Sequence, residues 1–163
     1  MTKSLDFLYA PFIVFTLFIV SWYMPFSYKL YNSSIFIKLD VFLLFLLVQA
    51  FIVPRFKLIV IGFLVGFVID IDIESNLVGI NSFLISIVCY FLGFLRFNSS
   101  NWDLNIKIAY SMIILSIYSI LKFLFYGWSM GFLDIISIII NSGLVLIVFL
   151  SINKFYYKGR LVD

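Results

Sequence analysis

The sequence predicts an all-α integral membrane protein with about six transmembrane helices, and three observations lead to this fold class. Of the 163 residues, 64% are hydrophobic and 12% are charged, whereas soluble domains have about 45–50% apolar and about 25% charged residues. The apolar residues form long uninterrupted runs, which is typical of membrane-spanning helices. Lys and Arg are divided unevenly between the short connections, as membrane topology requires. No stretch between the runs exceeds a short loop, so residues 1–163 are predicted to form a single polytopic membrane domain.

The first two segments are predicted at residues 7–24 and 35–53. Pro25 ends the first segment, and Trp22 and Tyr23 just before it suit the membrane interface. The length of this run, with no small-residue cleavage site after it, predicts a retained span rather than a signal peptide. The second segment carries Lys38 and Asp40 in its first turns, where an acidic side chain interacts favourably with the helix dipole.

The third segment starts in the basic turn at residues 54–57 and reaches Asp70. It is short, about 15 residues or about 22 Å of helix, against a hydrocarbon core of about 30 Å. Asp70 is therefore expected below the outer surface of the membrane. Two alternatives stay open for this segment, a complete span and a re-entrant helix.

The last three segments are separated by turn-forming residues. An acidic connector, I-D-I-E-S-N-L-V-G-I-N at residues 71–81, contains Gly79, which can start or kink the fourth segment at residues 80–97. The polar loop N-S-S-N-W-D precedes the fifth segment at residues 104–126, and G-W-S-M-G precedes the sixth at 132–152.

The basic residues predict that both termini are cytoplasmic. With six spans and the N-terminus inside, eight basic residues lie on the inner side and three on the outer side, a bias that fits the positive-inside rule. The inner set is Lys3, Arg55, Lys57, Arg96, Lys107, Lys154, Lys158 and Arg160, and the outer set is Lys29, Lys38 and Lys122.

Small residues mark one face on each of segments three and four. Gly62, Gly66 and Asp70 are four residues apart and lie within about 80° on a helix. Glycines at this spacing allow close helix–helix approach in membranes, so the two segments are predicted to pack as a tight hairpin with Asp70 on the packed face. The matching face of segment four, spread over roughly 60°, comprises Ser82, Ser86, Cys89 and Gly93.

Lys122 and Asp134 form the clearest candidate ion pair within the membrane. They lie almost symmetrically about the turn at Trp128, so an antiparallel hairpin brings them to one level. An intramembrane ionisable residue is a candidate functional residue, and its partner should be identified. The favoured interpretation is a salt bridge that fixes the hairpin; the alternative is a site for an anionic ligand or partner residue.

The carboxylates Asp70, Asp72 and Glu74 are expected at the tip of the hairpin. Oxygen ligands such as these can hold Mg²⁺ or Ca²⁺, but a two-residue spacing does not place them on one side of a helix. An outward acidic tip that sets topology or contacts a partner is therefore preferred to a metal site.

The composition argues against enzymatic chemistry. The chain has no histidine, which removes the usual general base and metal ligand. The single cysteine, Cys89, lies in an apolar run, where a packing role is expected. No phosphate-binding loop or nucleophile motif is present. We therefore predict no catalytic, cofactor-binding or metal-binding residues, no cofactor, and no nucleic-acid partner.

The glycine-rich hairpin resembles the core of the rod shape-determining MreD family. The resemblance lies in G-F-L-V-G-F-V-I-D at residues 62–70, L-V-G at 77–79 and Y-F-L-G-F-L-R at 90–96. Residues 36–44, F-I-K-L-D-V-F-L-L, are similar to the Pro-Asp-Leu-Leu start of a family helix, with Leu39 in place of the proline. The likeness covers segments two to four, roughly a third of the chain.

The resemblance implies a non-enzymatic scaffold of the bacterial cell-elongation machinery in the cytoplasmic membrane. The implied partners are MreC, a bitopic protein with a large outer domain, the MreB filament, the RodA-type glycosyltransferase and its transpeptidase penicillin-binding protein. The family fold is similar to the substrate-binding subunits of energy-coupling factor vitamin transporters, which supplies the alternative function. A vitamin subunit needs a cavity of about 300 Å³ or more with convergent polar groups, and few such groups are apparent in the sequence.

Overall fold

The computed structural model describes residues 27–29, 36–72, 79–125 and 131–155, together with Thr16 and Ile19. This part of the chain contains a two-stranded antiparallel hairpin followed by five helices. The strands are β1 (Ser27–Lys29) and β2 (Phe36–Lys38), with Tyr28 opposite Ile37. The helices are α1 (Val41–Ile52), α2 (Arg55–Asp72), α3 (Ile80–Phe97), α4 (Leu104–Phe125) and α5 (Phe132–Phe155).

A largely helical membrane protein is confirmed by the length and composition of the helices. Among the described residues, α3, α4 and α5 are long and apolar enough to cross a membrane. Their 18, 22 and 24 residues correspond to about 27, 33 and 36 Å, close to the hydrocarbon thickness of about 30 Å. The predicted first segment, residues 7–24, lies outside the described ranges apart from Thr16 and Ile19.

The predicted start of segment two at residue 35 is wrong, because residues 36–38 form β2 and the helix begins at Val41. Asp40 causes this late start as the N-cap residue: its Oδ1 accepts the backbone N–H groups of Phe42 and Leu43, both at 3.1 Å. An N-cap residue has non-helical backbone angles and satisfies amides that lack a partner within the helix. Helix α1 therefore has 12 residues, and the hairpin is an element that the all-α prediction missed.

The turn between α1 and α2 is as short as predicted. Only Val53 and Pro54 separate the two helices. The Val53 N–H still donates to the Gln49 carbonyl at 2.9 Å, and Pro54 accepts from the Leu58 N–H at 3.1 Å. Proline fits the start of a helix because its missing N–H would have no intrahelical partner there. Helix α2 then continues without a break to Asp72, beyond the predicted end at Asp70.

Helix α3 is central in the described bundle. It packs along α2 over the most extensive interface and also contacts α1 and α4, while α5 contacts α1, α4 and β2. The buried core runs through all five helices and is made mostly of leucine, isoleucine and valine. Its fully buried members include Leu46, Leu47, Leu58, Ile61, Val65, Leu84, Ile85, Leu92 and Leu115.

Two arginines fasten one end of α3 to the α1–α2 turn. The Arg96 Nη1 donates to the Ile52 carbonyl, the last residue of α1, at 2.7 Å. The Arg55 guanidinium lies between two rings of α3, 3.6 Å from the centroid of Tyr90 and 4.1 Å from that of Phe94. Its Nε also donates to the Tyr90 carbonyl at 3.2 Å. A cation stacked on aromatic faces is attracted by their quadrupoles, so this end of the bundle is held by charge and by packing.

Candidate functional site

Asp70 connects the end of α2 to the beginning of α3 through four hydrogen bonds. Its Oδ1 accepts from the backbone N–H and the side-chain Nδ2 of Asn81, both at 3.0 Å. Its Oδ2 accepts from the backbone N–H of Ser82 at 2.9 Å and from the Ser82 hydroxyl at 2.6 Å. The side chain is only 2% exposed, so the expectation that Asp70 lies on the packed face is confirmed.

This carboxylate supplies the N-terminal cap that α3 cannot make for itself. The N-cap residue of α3 is Gly79, which has no side chain and a φ of +102°. That left-handed conformation is one that glycine adopts without the cost a Cβ would add. Asn81 and Ser82 are the second and third residues of the helix, whose amides are normally satisfied by the N-cap side chain. Asp70 takes this role from the neighbouring helix, and Gly79 starts α3 as predicted.

Gly66 allows the close approach on which this cap depends. A Cβ added to Gly66 would lie 2.6 Å from the Ser82 nitrogen and 2.7 Å from the Asn81 carbonyl oxygen. These are backbone atoms, which cannot swing aside as a flexible side chain can. Asp70, one turn further along α2, can then reach the first amides of α3. One turn earlier, a Cβ on Gly62 would collide with the Cys89 side chain.

The remaining small residues of segment four have different surroundings. The Ser86 hydroxyl donates to the Ser82 carbonyl within its own helix at 2.6 Å. Gly93 accommodates the stem of Arg55, whose Cγ would lie 2.5 Å from an added Cβ. Because α3 fills the glycine face of α2, another protein would have to meet a different face of the hairpin.

The structure separates Asp70 from the predicted acidic tip. All four hydrogen bonds on its oxygens come from α3, so it is not an exposed ligand for a cation or a partner. Asp72 is the last residue of α2, and Glu74 lies outside the described ranges. Among the described residues no group of three or more Asp, Glu, Cys or His side chains could hold a metal ion.

A cavity of about 450 Å³ lies between α1, α4 and α5, away from the α2–α3 hairpin. This finding corrects the expectation that the chain offers few convergent polar groups. The polar lining residues come from three separate segments, and apolar side chains complete the wall. The lining is Asp40, Leu43, Leu115, Tyr118, Ser119, Lys122, Phe123, Asp134, Ser137, Ile138, Asn141, Ser142 and Val145.

Lys122 and Asp134 both line this cavity, so the α4–α5 hairpin brings them to the same region as the sequence predicts. The Asp134 Oδ2 accepts the Gly131 N–H at 2.8 Å, just before α5 begins. The Lys122 Nζ lies 5.9 Å from the centroid of the Tyr118 ring. A direct ion pair between Lys122 and Asp134 stays a prediction.

Asn81 and Asp40 are among the residues of these sites that were not predicted from the sequence as site residues. Asn81 gives Asp70 two of its four hydrogen bonds. Its position two residues after Gly79, in the first turn of a predicted helix, indicates a backbone N–H that needs an acceptor outside the helix. Asp40 was expected to act on the helix dipole alone, but it also faces the cavity. Asp40 lies beside the cavity because α1 packs against α5. The sequence of each segment taken separately does not predict that contact.

Comparison with protein-family models, with curated proteins and with solved structures finds no match to this chain.

Proposed function

We propose that this protein is a non-enzymatic scaffold subunit of the bacterial cell-elongation machinery, embedded in the cytoplasmic membrane with six spans and both termini inside. In this role it binds MreC and links it to MreB, the RodA-type glycosyltransferase and the transpeptidase penicillin-binding protein. The observation that carries the proposal is the capping of α3 by Asp70. Four of the residues that form this contact, Gly62, Gly66, Asp70 and Gly79, belong to the stretches in which the chain resembles the MreD family.

A scaffold needs a rigid element with a broad outer face, and the α2–α3 hairpin supports that role. Its inner contact is closed by Gly62, Gly66 and Asp70. Its outer face carries large apolar side chains, among them Phe63, Phe67 and Phe83 at 52%, 47% and 59% exposure. Van der Waals packing is one of the forces by which transmembrane helices associate, and these side chains are available for it. The single membrane helix of a bitopic partner such as MreC suits a face of this kind.

The proposal is tested by co-purification in detergent. The tagged protein is expressed with MreC from the same organism and, in a second sample, with the transmembrane and ATPase subunits of an energy-coupling transporter. The scaffold function predicts stable recovery of MreC and not of the transporter subunits. Recovery of the transporter subunits without MreC would overturn it.

The cavity favours a second candidate function, a substrate-binding subunit of an energy-coupling factor type vitamin transporter. Its volume of about 450 Å³ lies within the range of about 300–1,000 Å³ for small-molecule sites. Its wall combines apolar side chains with convergent polar groups, the two kinds of lining that such sites have. The second co-purification sample tests this alternative directly.

A further inference from the structure

The cavity between α1, α4 and α5 has an electrically unbalanced wall. Among the residues whose side chains the structure describes, the charged groups of the wall are Asp40, Lys122 and Asp134, which carry two formal negative charges and one positive charge at pH 7. This excess of one negative charge does not depend on how the three groups pair with each other. Uncompensated charge is costly in a low-dielectric membrane protein, so the cavity is better matched to a cationic occupant than to a neutral or anionic one.

The serine hydroxyls of the wall add hydrogen-bond acceptors rather than donors. Ser119 donates its proton to the Leu115 carbonyl at 3.2 Å, and Ser137 donates to the Leu133 carbonyl at 2.9 Å. Ser142 donates to the Ile138 carbonyl at 2.9 Å and accepts from the Ser116 hydroxyl at 3.3 Å, which leaves it one lone pair. A hydroxyl has one proton and two lone pairs, so each oxygen keeps the capacity to accept a bond from an occupant.

The two carboxylates are held in place by backbone amides. Asp40 uses its Oδ1 for two N–H groups of α1, and Asp134 uses its Oδ2 for the N–H of Gly131. These hydrogen bonds from the backbone engage one oxygen of each carboxylate and fix its orientation beside the cavity. Because the two carboxylates are already fixed, they lose little conformational entropy when a cation binds.

We propose that this cavity binds a small organic monocation, an ammonium group attached to an apolar body. The ammonium lies near Asp40 and Asp134, and the apolar body packs on Leu43, Leu115 and Val145. This proposal goes beyond the scaffold function. For the alternative function, a transporter subunit, it names the class of substrate that the cavity binds, and there it rests on the transporter function.

The test uses the full protein in detergent and three probes of similar shape. Isothermal titration compares phenethylammonium with the anion 3-phenylpropanoate and the neutral 3-phenylpropanol. The variants Asp40→Asn and Asp134→Asn each remove a charge but keep an oxygen that can accept the same backbone N–H groups, so the helix starts are preserved. Asp103→Asn is the matched control, because Asp103 is an exposed residue before α4, at the opposite end of that helix from Lys122.

We expect phenethylammonium to bind more tightly than either comparison probe, and each cavity variant to weaken its binding about tenfold. Asp103→Asn should leave the binding unchanged. The proposal is overturned if phenethylammonium gives no saturable binding, if the anion binds as tightly, or if both cavity variants bind the cation like the unaltered protein. Recovery of MreC is measured separately, so a failure of the cavity proposal is distinguishable from a failure of the scaffold function.

Discussion

Asp70 at the end of α2 accepts both the backbone N–H and the hydroxyl of Ser82 at the start of α3, at 2.9 and 2.6 Å. A helix cap is usually made by the residue that precedes the helix. Here the preceding residue is glycine, and the cap comes from a different helix. Local helix capping and the packing of the hairpin therefore depend on the same carboxylate.

Replacing Asp70 should destabilise the protein more than replacing an exposed aspartate does. Asp70→Ala leaves the buried amides of Asn81 and Ser82 without their acceptor, at a cost of about 2–4 kcal/mol in the free energy of unfolding. Asp70→Asn keeps one acceptor oxygen and should cost less. Denaturant unfolding in detergent measures both, with Asp103→Asn as the control. Equal stability of Asp70→Ala and the unaltered protein would contradict the role of the cap.

The two glycines Gly66 and Gly143 should respond oppositely to alanine. A Cβ at Gly66 meets the backbone of Asn81 and Ser82, so Gly66→Ala should lose about 1–3 kcal/mol through overpacking. At Gly143, within α5, the only described atoms within 4 Å of an added Cβ belong to its chain neighbours or to the adjacent backbone of α5 itself. Gly143→Ala should therefore be neutral or gain up to about 1 kcal/mol of helix propensity. Thermal unfolding of the two variants side by side would detect the difference in sign.

The larger change Gly66→Leu should also disrupt assembly, because it pushes α2 away from α3. We expect this variant to recover little MreC in co-purification, whereas Gly143→Ala should recover as much as the unaltered protein. Normal recovery of MreC by Gly66→Leu would show that the close approach of the two helices is not needed for assembly.

Substitution of Gly79 should destabilise the protein because of the backbone conformation of this residue, without any steric clash. Beyond its two chain neighbours, no described atom lies within 4 Å of a Cβ added there, but its φ is +102°. Gly79→Ala should therefore cost about 1–2 kcal/mol of stability, and Gly79→Asn should cost less because asparagine tolerates left-handed angles better. Unfolding midpoints of the two variants provide the comparison. An alanine variant more stable than the asparagine variant would contradict this explanation.

The contact of Arg55 with Tyr90 should show energetic coupling. The guanidinium lies 3.6 Å from the ring centroid, a geometry that lysine does not reproduce because its ammonium is not planar. A double-mutant cycle with Arg55→Lys and Tyr90→Leu should give a coupling energy of about 0.5–2 kcal/mol. Additive effects of the two substitutions would mean that the stacked geometry contributes nothing to stability.

The helix positions that were predictable from the sequence are those bounded by strong local signals. Segments four and five match α3 and α4 to within a residue, because Gly79 and the polar loop before Leu104 interrupt the apolar runs. The predicted start of α1 is too early because Phe36, Ile37 and Leu39 continue the apolar run of the helix that follows. Hydropathy alone does not distinguish a short strand from a helix, and the capping position of Asp40 was the better signal.

The two sites differ in how far the sequence predicts them. The periodicity of Gly62, Gly66 and Asp70 predicts a packed face, because residues four apart share one side of a helix. The partners of Asp70 were not predictable in the same way, since they depend on the turn at Gly79. The cavity joins Asp40 to Asp134 across most of the chain, and no local pattern reports such a long-range neighbour.

The scaffold function is tested most directly by measuring the affinity for MreC in lipid nanodiscs. The purified protein is titrated with fluorescently labelled MreC, and Gly143→Ala serves as a folded control. The scaffold function predicts saturable binding with a fixed stoichiometry for both proteins and weakened binding for Gly66→Leu. Binding that stays unsaturable, or that is the same with a nanodisc lacking this protein, would contradict the function proposed here.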